Sequence, residues 1–314
     1  KEYFLDGVID PYPTVINLSG GKKLNLKGYD FGISGLVSTA NNYTMITGAD
    51  VGSILCENLK MCTSGTNSKV YNVTAATGSE FFEHIRVSFD DCTSLGEAVG
   101  FAQGRESGTR RLGGTPEFTL SGSWGGYFIN TSIAKDLTDG AYTLFKAGAG
   151  FTMSSRFVTN MKADLKTNIS LLDFSIANFP NSNTLNINGA FITRNGLLDA
   201  GDATITPNVT RKELCSLWAN NTGLRNTNVG GKIRITSEAS TTLSVNTWST
   251  INGTFTLGGA EHFDQPTNGE LRHLGPNPVD FNFFIQVLFS GNNANDLEIR
   301  IQRWDGSTWL SFSP

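Results

Sequence analysis

Apolar and polar residues alternate with a period of two along most of this chain. Segments 24–33 (LNLKGYDFGI), 43–48, 53–61, 69–75, 84–89, 118–124, 126–133, 171–179 and 184–194 are short runs of this kind, broken by Gly, Asn, Ser and Asp. Period two, with β-branched and aromatic residues in the apolar slots, predicts strands. Helical patterning is nearly absent. The best helical window is 211–219, where Thr210 and Glu213 have capping-box spacing and Leu214, Leu217 and Trp218 would form an apolar stripe.

Strand–turn–strand units return at irregular intervals of roughly 15–30 residues, several with an apolar-x-apolar centre and a polar turn. Examples are NLKMCTSG, HIRVSFDDCTSLG, FSIANFPNSN and LNINGAFITRNG. The pattern predicts an all-β chain built as a right-handed parallel β-solenoid. Its coils stack Ile, Val and Phe on one another, with Asn and Gly at the corners. Tandem β-sandwiches share the same period and stand as the alternative.

Residues 220–232 (NNTGLRNTNVGGK) are polar and Gly-rich and mark a boundary. The organisation read here is an N-terminal attachment segment (1–23), a solenoid-like body (24–231) and an antiparallel segment (232–314), which the resemblance given below implies is jelly-roll-like. The last begins with KIRIT (232–236), TLSV (242–245) and TFTL (254–257). In 281–289 (FNFFIQVLF), the face carrying Asn282 and Gln286 also carries Phe284 and Leu288, too apolar for water, so both are candidate oligomer-interface residues. The final hairpin has Asp305-Gly306 as its turn signal. With those two as the loop, Trp304 pairs with Ser307, Gln302 with Trp309, Ile301 with Leu310 and Ile299 with Phe312. Trp304 and Trp309 then share the non-core face, marking a subunit interface, a ligand platform or contact with another sheet.

Composition narrows the class. Charged residues are 17% of the chain, with 21 Phe and 35 Gly. A surface covered by Asn, Ser and Thr suits an extracellular or virion β-protein and argues against a helical cytosolic enzyme. Net charge is −4 without a basic block, so no nucleic-acid footprint is present, and Arg110-Arg111 reads as a solvated pair. No apolar run is long enough to span a membrane. The chain opens on Lys1 without a secretory signal, as expected of a trimmed chain. Cys56, Cys62, Cys92 and Cys215 fit no zinc template and read as buried thiols, a Cys56–Cys62 bridge being the alternative. Eight Asn-X-Ser/Thr sequons, from Asn17 to Asn252, are what chance gives in so Asn/Thr-rich a chain.

Candidate chemistry is sparse. Glycan cleavage would need two carboxyl groups roughly 5–10 Å apart. Glu80, Glu83, Asp90, Asp91, Glu97 and Glu106 are available, and Glu83 and Asp91 could meet across neighbouring coils. Asp90 and Asp91 equally suit a plain turn. His84, His262 and His273 have no GxSxG partner, and phosphate-loop and calcium-loop motifs are absent. No catalytic residue, metal or cofactor is assigned. Aromatics beside glycines or at hairpin tips could stack on sugar rings: Trp124 and Tyr127 in GSWGGYF, and Trp304 and Trp309 with Asp305. Core or interface packing is the competing explanation.

The order TWSTINGTFTL…FDQPTNGELRHLG…FNFFIQVLFS…LEIRIQRWDG resembles the TNF/C1q-type jelly roll of bacteriophage fibres and spikes. GELRHLG (269–275) stands where that family has its "g.l.y.g" segment. The likeness covers 236–312, and the later strands of the jelly roll are missing, so the domain is shortened or the chain continues past Pro314. A solenoid body before such a tip is similar to phage tail-fibre, tailspike and head-fibre appendages. The resemblance implies a homotrimeric virion-surface protein that meets other virion proteins and a host glycan or protein. It further implies a non-enzymatic attachment role, the alternatives being a polysaccharide depolymerase (hydrolase or lyase) and a purely architectural component.

Overall fold

A computed structural model describes residues 2–181, 185–198, 205–209, 218, 220–224, 230–242, 249–261, 263–273, 302–304 and 309–311. The chain forms two compact units, 1–277 and 278–314.

The body is a parallel β-solenoid of about eight turns with three walls. The first wall stacks Glu2–Leu5, Leu24–Gly28, the first half of Ile54–Thr63, the first half of Phe81–Asp90, Gln103–Ser107, Gly126–Asn130, Phe157–Thr159 and Leu185–Ile187. The second wall runs from Val8–Ile9 through Gly35–Ser38, the second halves of the two long strands, Arg110–Leu112, Ile133–Lys135 and Lys162–Leu165 to Phe191–Arg194. The third wall runs from Ile16–Asn17 through Thr44–Val51, Lys69–Ala75, Gly96–Val99, Phe118–Ser121 and Tyr142–Ala147 to Ile169–Leu172. Tandem sandwiches are excluded for this body, because every pair in these walls is parallel.

Alternation explains the lumen. Every second residue of a strand faces inward, and stacking places it over its counterpart in the next turn. One inward column reads Leu24, Ile54, Phe82, Gly104, Tyr127, Phe157, Leu185. A second, on the second wall, reads Leu36, Met61, Phe89, Arg111, Ala134, Ala163, Ile192. All of these side chains other than Gly104 are buried. Stacked aromatic pairs run along the interior, among them Phe82–Phe118 at 5.4 Å and Tyr127–Phe157 at 5.8 Å between centroids. Burying each such ring contributes about 1.5–3 kcal/mol.

In turns three to six the first and second walls meet at a corner held by one left-handed residue per turn. Asn58, Arg86, Gly108 and Thr131 follow one another there with φ of 53°, 52°, 64° and 54°. Gly and Asn suit this conformation, whereas Arg and the β-branched Thr adopt it at a cost. Below this corner the side chain of Asn160 donates to Asn130 Oδ1 at 3.0 Å, and that of Asn220 to Asn188 Oδ1 at 3.2 Å.

The two ends of the solenoid differ. At the last turn the buried Trp218 donates its indole N–H to Leu185 O at 2.9 Å, and Asn221 donates to Ile187 O at 2.9 Å. At the first turn, Glu2–Leu5, Val8–Ile9 and Ile16–Asn17 each pair with one strand among the described residues.

Within 232–314 the described strands form three antiparallel pairs. They are Gly230–Glu238 with Gly253–Glu261, Phe263–Asp264 with Arg272–His273, and Gln302–Trp304 with Trp309–Ser311. The expected strands 232–236 and 254–257 fall inside the first pair. The long strand 281–289 lies outside the described residues, as does the helical window 211–219 apart from Trp218, which is in no helix. The final hairpin corrects its expected register by two residues, since Trp304 pairs with Trp309 and Gln302 with Ser311. Four residues, not two, separate the paired tryptophans.

Candidate functional site

The densest group of chemistry-bearing side chains lies inside the solenoid, across turns three to six. In the second inward column of the first wall, His84 of turn four and Glu106 of turn five stand between Cys56 and Ile129. Tyr71 enters from the third wall, and its hydroxyl lies 2.7 Å from His84 Nε2, 3.3 Å from Met61 Sδ and 3.8 Å from Cys56 Sγ. Arg111 enters from the second wall and donates to Glu106 Oε1 at 2.8 Å. Tyr127 donates to the same oxygen at 2.8 Å, and Thr109 to Oε2 at 3.0 Å. The guanidinium also donates to Leu144 O at 2.8 Å and sits 4.1 Å from the centroid of the Phe145 ring.

The electrostatics follow from burial and pairing. Burial alone would raise the Glu106 carboxyl. Arg111, His84 and the Tyr127 and Thr109 hydroxyls overcome it and hold the group below the usual carboxylate range. Burial pushes His84 down to about 4, so the imidazole is neutral at ordinary pH. Burial likewise raises Cys56 to about 12 and drives Tyr71 and Tyr127 well up. These groups are sealed: His84, Glu106 and Arg111 are each 1% exposed or less. No substrate reaches them, and the cluster acts as a polar tie between turns.

Three expectations are corrected here. Trp124 and Tyr127 are buried, with the Trp124 indole donating to Ser121 O at 2.9 Å, so neither offers a face to a sugar. Arg111 is not solvated, and Arg110 lies over Phe31 at 4.0 Å. Glu83 and Asp91 do not meet across neighbouring coils. They belong to one turn and different positions, Glu83 standing between Leu55 and Arg105 on the outer first wall while Asp91 forms a left-handed corner beyond the second wall. Cys56 turns inward to Tyr71 and is not bridged to Cys62. Asp305, Phe284, Leu288 and Cys215 lie outside the described residues, as do the Trp304 and Trp309 side chains. Among the described residues no group of His, Cys, Asp or Glu is placed to hold a metal, and no helix is long and apolar enough to cross a membrane.

The outer surface has one concentration of exposed apolar side chains, around the first turn. Tyr3, Phe4, Val8, Ile9, Tyr12, Val15, Tyr29 and Ile33 are eight of the fifteen large exposed hydrophobics among the described residues. Tyr29 packs edge-on against Phe4 at 4.5 Å, and Tyr12 against Tyr43 at 5.6 Å. Lys27 sits between Glu2 at 3.1 Å and Glu57 at 3.6 Å. Sequence reading marked 1–23 for attachment but missed Tyr29 and Ile33. Their loop, 29–34, stands out only once Gly28 and Gly35 are placed on adjoining walls.

No family model, no curated protein and no solved structure matches this chain.

Proposed function

We propose that this protein is a structural component of a bacteriophage virion, a homotrimeric fibre or spike that contributes to host-surface attachment. The reading is non-enzymatic. One observation carries it: an eight-turn solenoid with a filled lumen carries eight exposed apolar side chains around its first two turns. A filled lumen makes a stiff rod. Exposed aromatic and aliphatic residues of this extent mark contact surfaces. In this reading the first turn meets a neighbouring virion protein, and the C-terminal segment is a jelly-roll part that contacts the host.

Light scattering on the purified protein at micromolar concentration tests the assembly. A mass near three chains is expected, and a stable monomer overturns the trimer. Saturating host cells with the purified protein should reduce adsorption of the phage. Unchanged adsorption replaces attachment with a purely architectural role. Release of oligosaccharide from host glycan would replace the reading with a depolymerase.

A further inference from the structure

Cys62 belongs to the third turn and Cys92 to the fourth. Met61, just before Cys62, pairs with Phe89, and Cys92 follows three residues later, where the chain leaves the second wall. There the chain lies back along the preceding turn. Cys92 Sγ donates to Met61 O at 3.4 Å, and Thr93 N donates to Thr63 O at 2.8 Å. These two bonds bracket Cys62 on either side. Cys62 and Cys92 are both buried and unbridged, and each thiol shifts the titration of the other.

We propose that Cys62 and Cys92 form a disulfide that ties the third turn to the fourth when the protein enters an oxidising environment. The inference does not rest on the phage reading. The oxidant is a low-molecular-weight disulfide such as oxidised glutathione. The Cys62 thiolate attacks one of its sulfurs, expels one small thiol and becomes a mixed disulfide. Cys92 loses its proton to the expelled thiolate and attacks Cys62 Sγ, releasing the second small thiol. Two protein thiols are oxidised by two electrons, and one small disulfide is reduced to two thiols. Cys62 is the better attacker: the neighbouring Cys92 thiol holds its thiol below the usual value against the effect of burial, and Lys60 adds to this. Burial pushes Cys92 up, which suits a resolving thiol.

Treating the full chain with oxidised glutathione, alkylating the remaining thiols and digesting with trypsin tests this directly. Lys69 and Arg86 lie between the two cysteines, so their peptides stay together only through the bridge. A cross-linked peptide pair holding Cys62 and Cys92, separated by dithiothreitol, is expected. Recovery of both cysteines alkylated, each with its own glutathione, or bridged to Cys56 or Cys215 overturns the proposal. In Cys92→Ser the reaction should stop at a glutathione adduct on Cys62. An adduct elsewhere, or none, overturns the attacking role of Cys62.

Discussion

Arg111 and Glu106 form an ion pair at 2.8 Å inside the lumen, with side chains 0% and 1% exposed. Taking two charges out of water costs several kcal/mol per ion, and attraction repays this only when the other polar atoms are also satisfied. Here Tyr127 and Thr109 satisfy the carboxylate and Leu144 O takes one guanidinium nitrogen, while Arg111 Nε is left without a partner.

Arg111→Met leaves Glu106 charged in an apolar lumen and should cost about 3–5 kcal/mol in chemical unfolding. The double variant Glu106→Leu/Arg111→Met should cost far less, because no charge is stranded. Equal losses in the two variants would show that the guanidinium matters only as packing.

Stability should fall on acidification before ordinary carboxylates titrate. His84 is held at about 4 in the fold against 6.5 when free. A depressed base is neutral in the fold, so its contribution is complete above 6.5 and is lost as pH drops toward 4. The loss is roughly 3 kcal/mol. The depressed Glu106 carboxyl adds a further loss as pH falls below its unfolded value. Melting temperatures at pH 7, 5.5 and 4 should decline steadily, with a shallower slope in His84→Phe. A flat profile down to pH 4 contradicts a neutral buried imidazole.

Gly104 stands in a column of large side chains because Tyr127 lies over it. A Cβ there would come within 2.1 Å of Tyr127 Cδ2 and 3.0 Å of Trp124 Cζ3. Gly104→Ala should destabilise by about 1–3 kcal/mol through overpacking. Thermal unfolding beside wild type decides it, and an unchanged midpoint would mean the rings move aside freely.

Trp124→Ala should cost about 3–5 kcal/mol, the range for deleting a buried ring. It should leave any glycan binding by the folded protein unaltered. Weaker binding with unchanged stability would return Trp124 to the surface role its glycine neighbours suggest.

Thr131 occupies the left-handed corner at φ 54° and is exposed. Thr131→Gly should raise stability by up to about 1 kcal/mol, since relief of backbone strain competes with the greater freedom of unfolded glycine. Its amide would keep the bond to Asn160 Oδ1. A clear loss of stability would show that the Thr side chain braces the corner.

The solenoid was legible because strand parity and stacking obey one rule, and the alternating runs 53–61 and 84–89 fall on the long strands Ile54–Thr63 and Phe81–Asp90. Arg111 and Glu106 were not, because in RESGTRRLGG only Leu112 is apolar and no alternation shows. Only the register with Phe89 and Ala134 turns Arg111 inward. Trp124 and Tyr127 misled for a related reason. The adjacent Gly125 lets the chain pack closely against the turn above, where a Cβ would lie 2.1 Å from Ala102 O, and in sequence it looks like an exposed loop. Parity placed Trp304 and Trp309 on one face, while the turn length that sets their partners left no trace in the alternation.

The step along the first inward column varies from 22 residues, Phe82 to Gly104, to 30, Leu24 to Ile54, yet the column stays in register. In the second turn residues 29–34 join the first two walls, and in the third Asn58 does so alone. The walls thus take no account of what is hung between them. Such a rod can carry grafted loops at chosen heights, each held a fixed number of strand spacings from the next, and so works as a ruler for displayed peptides.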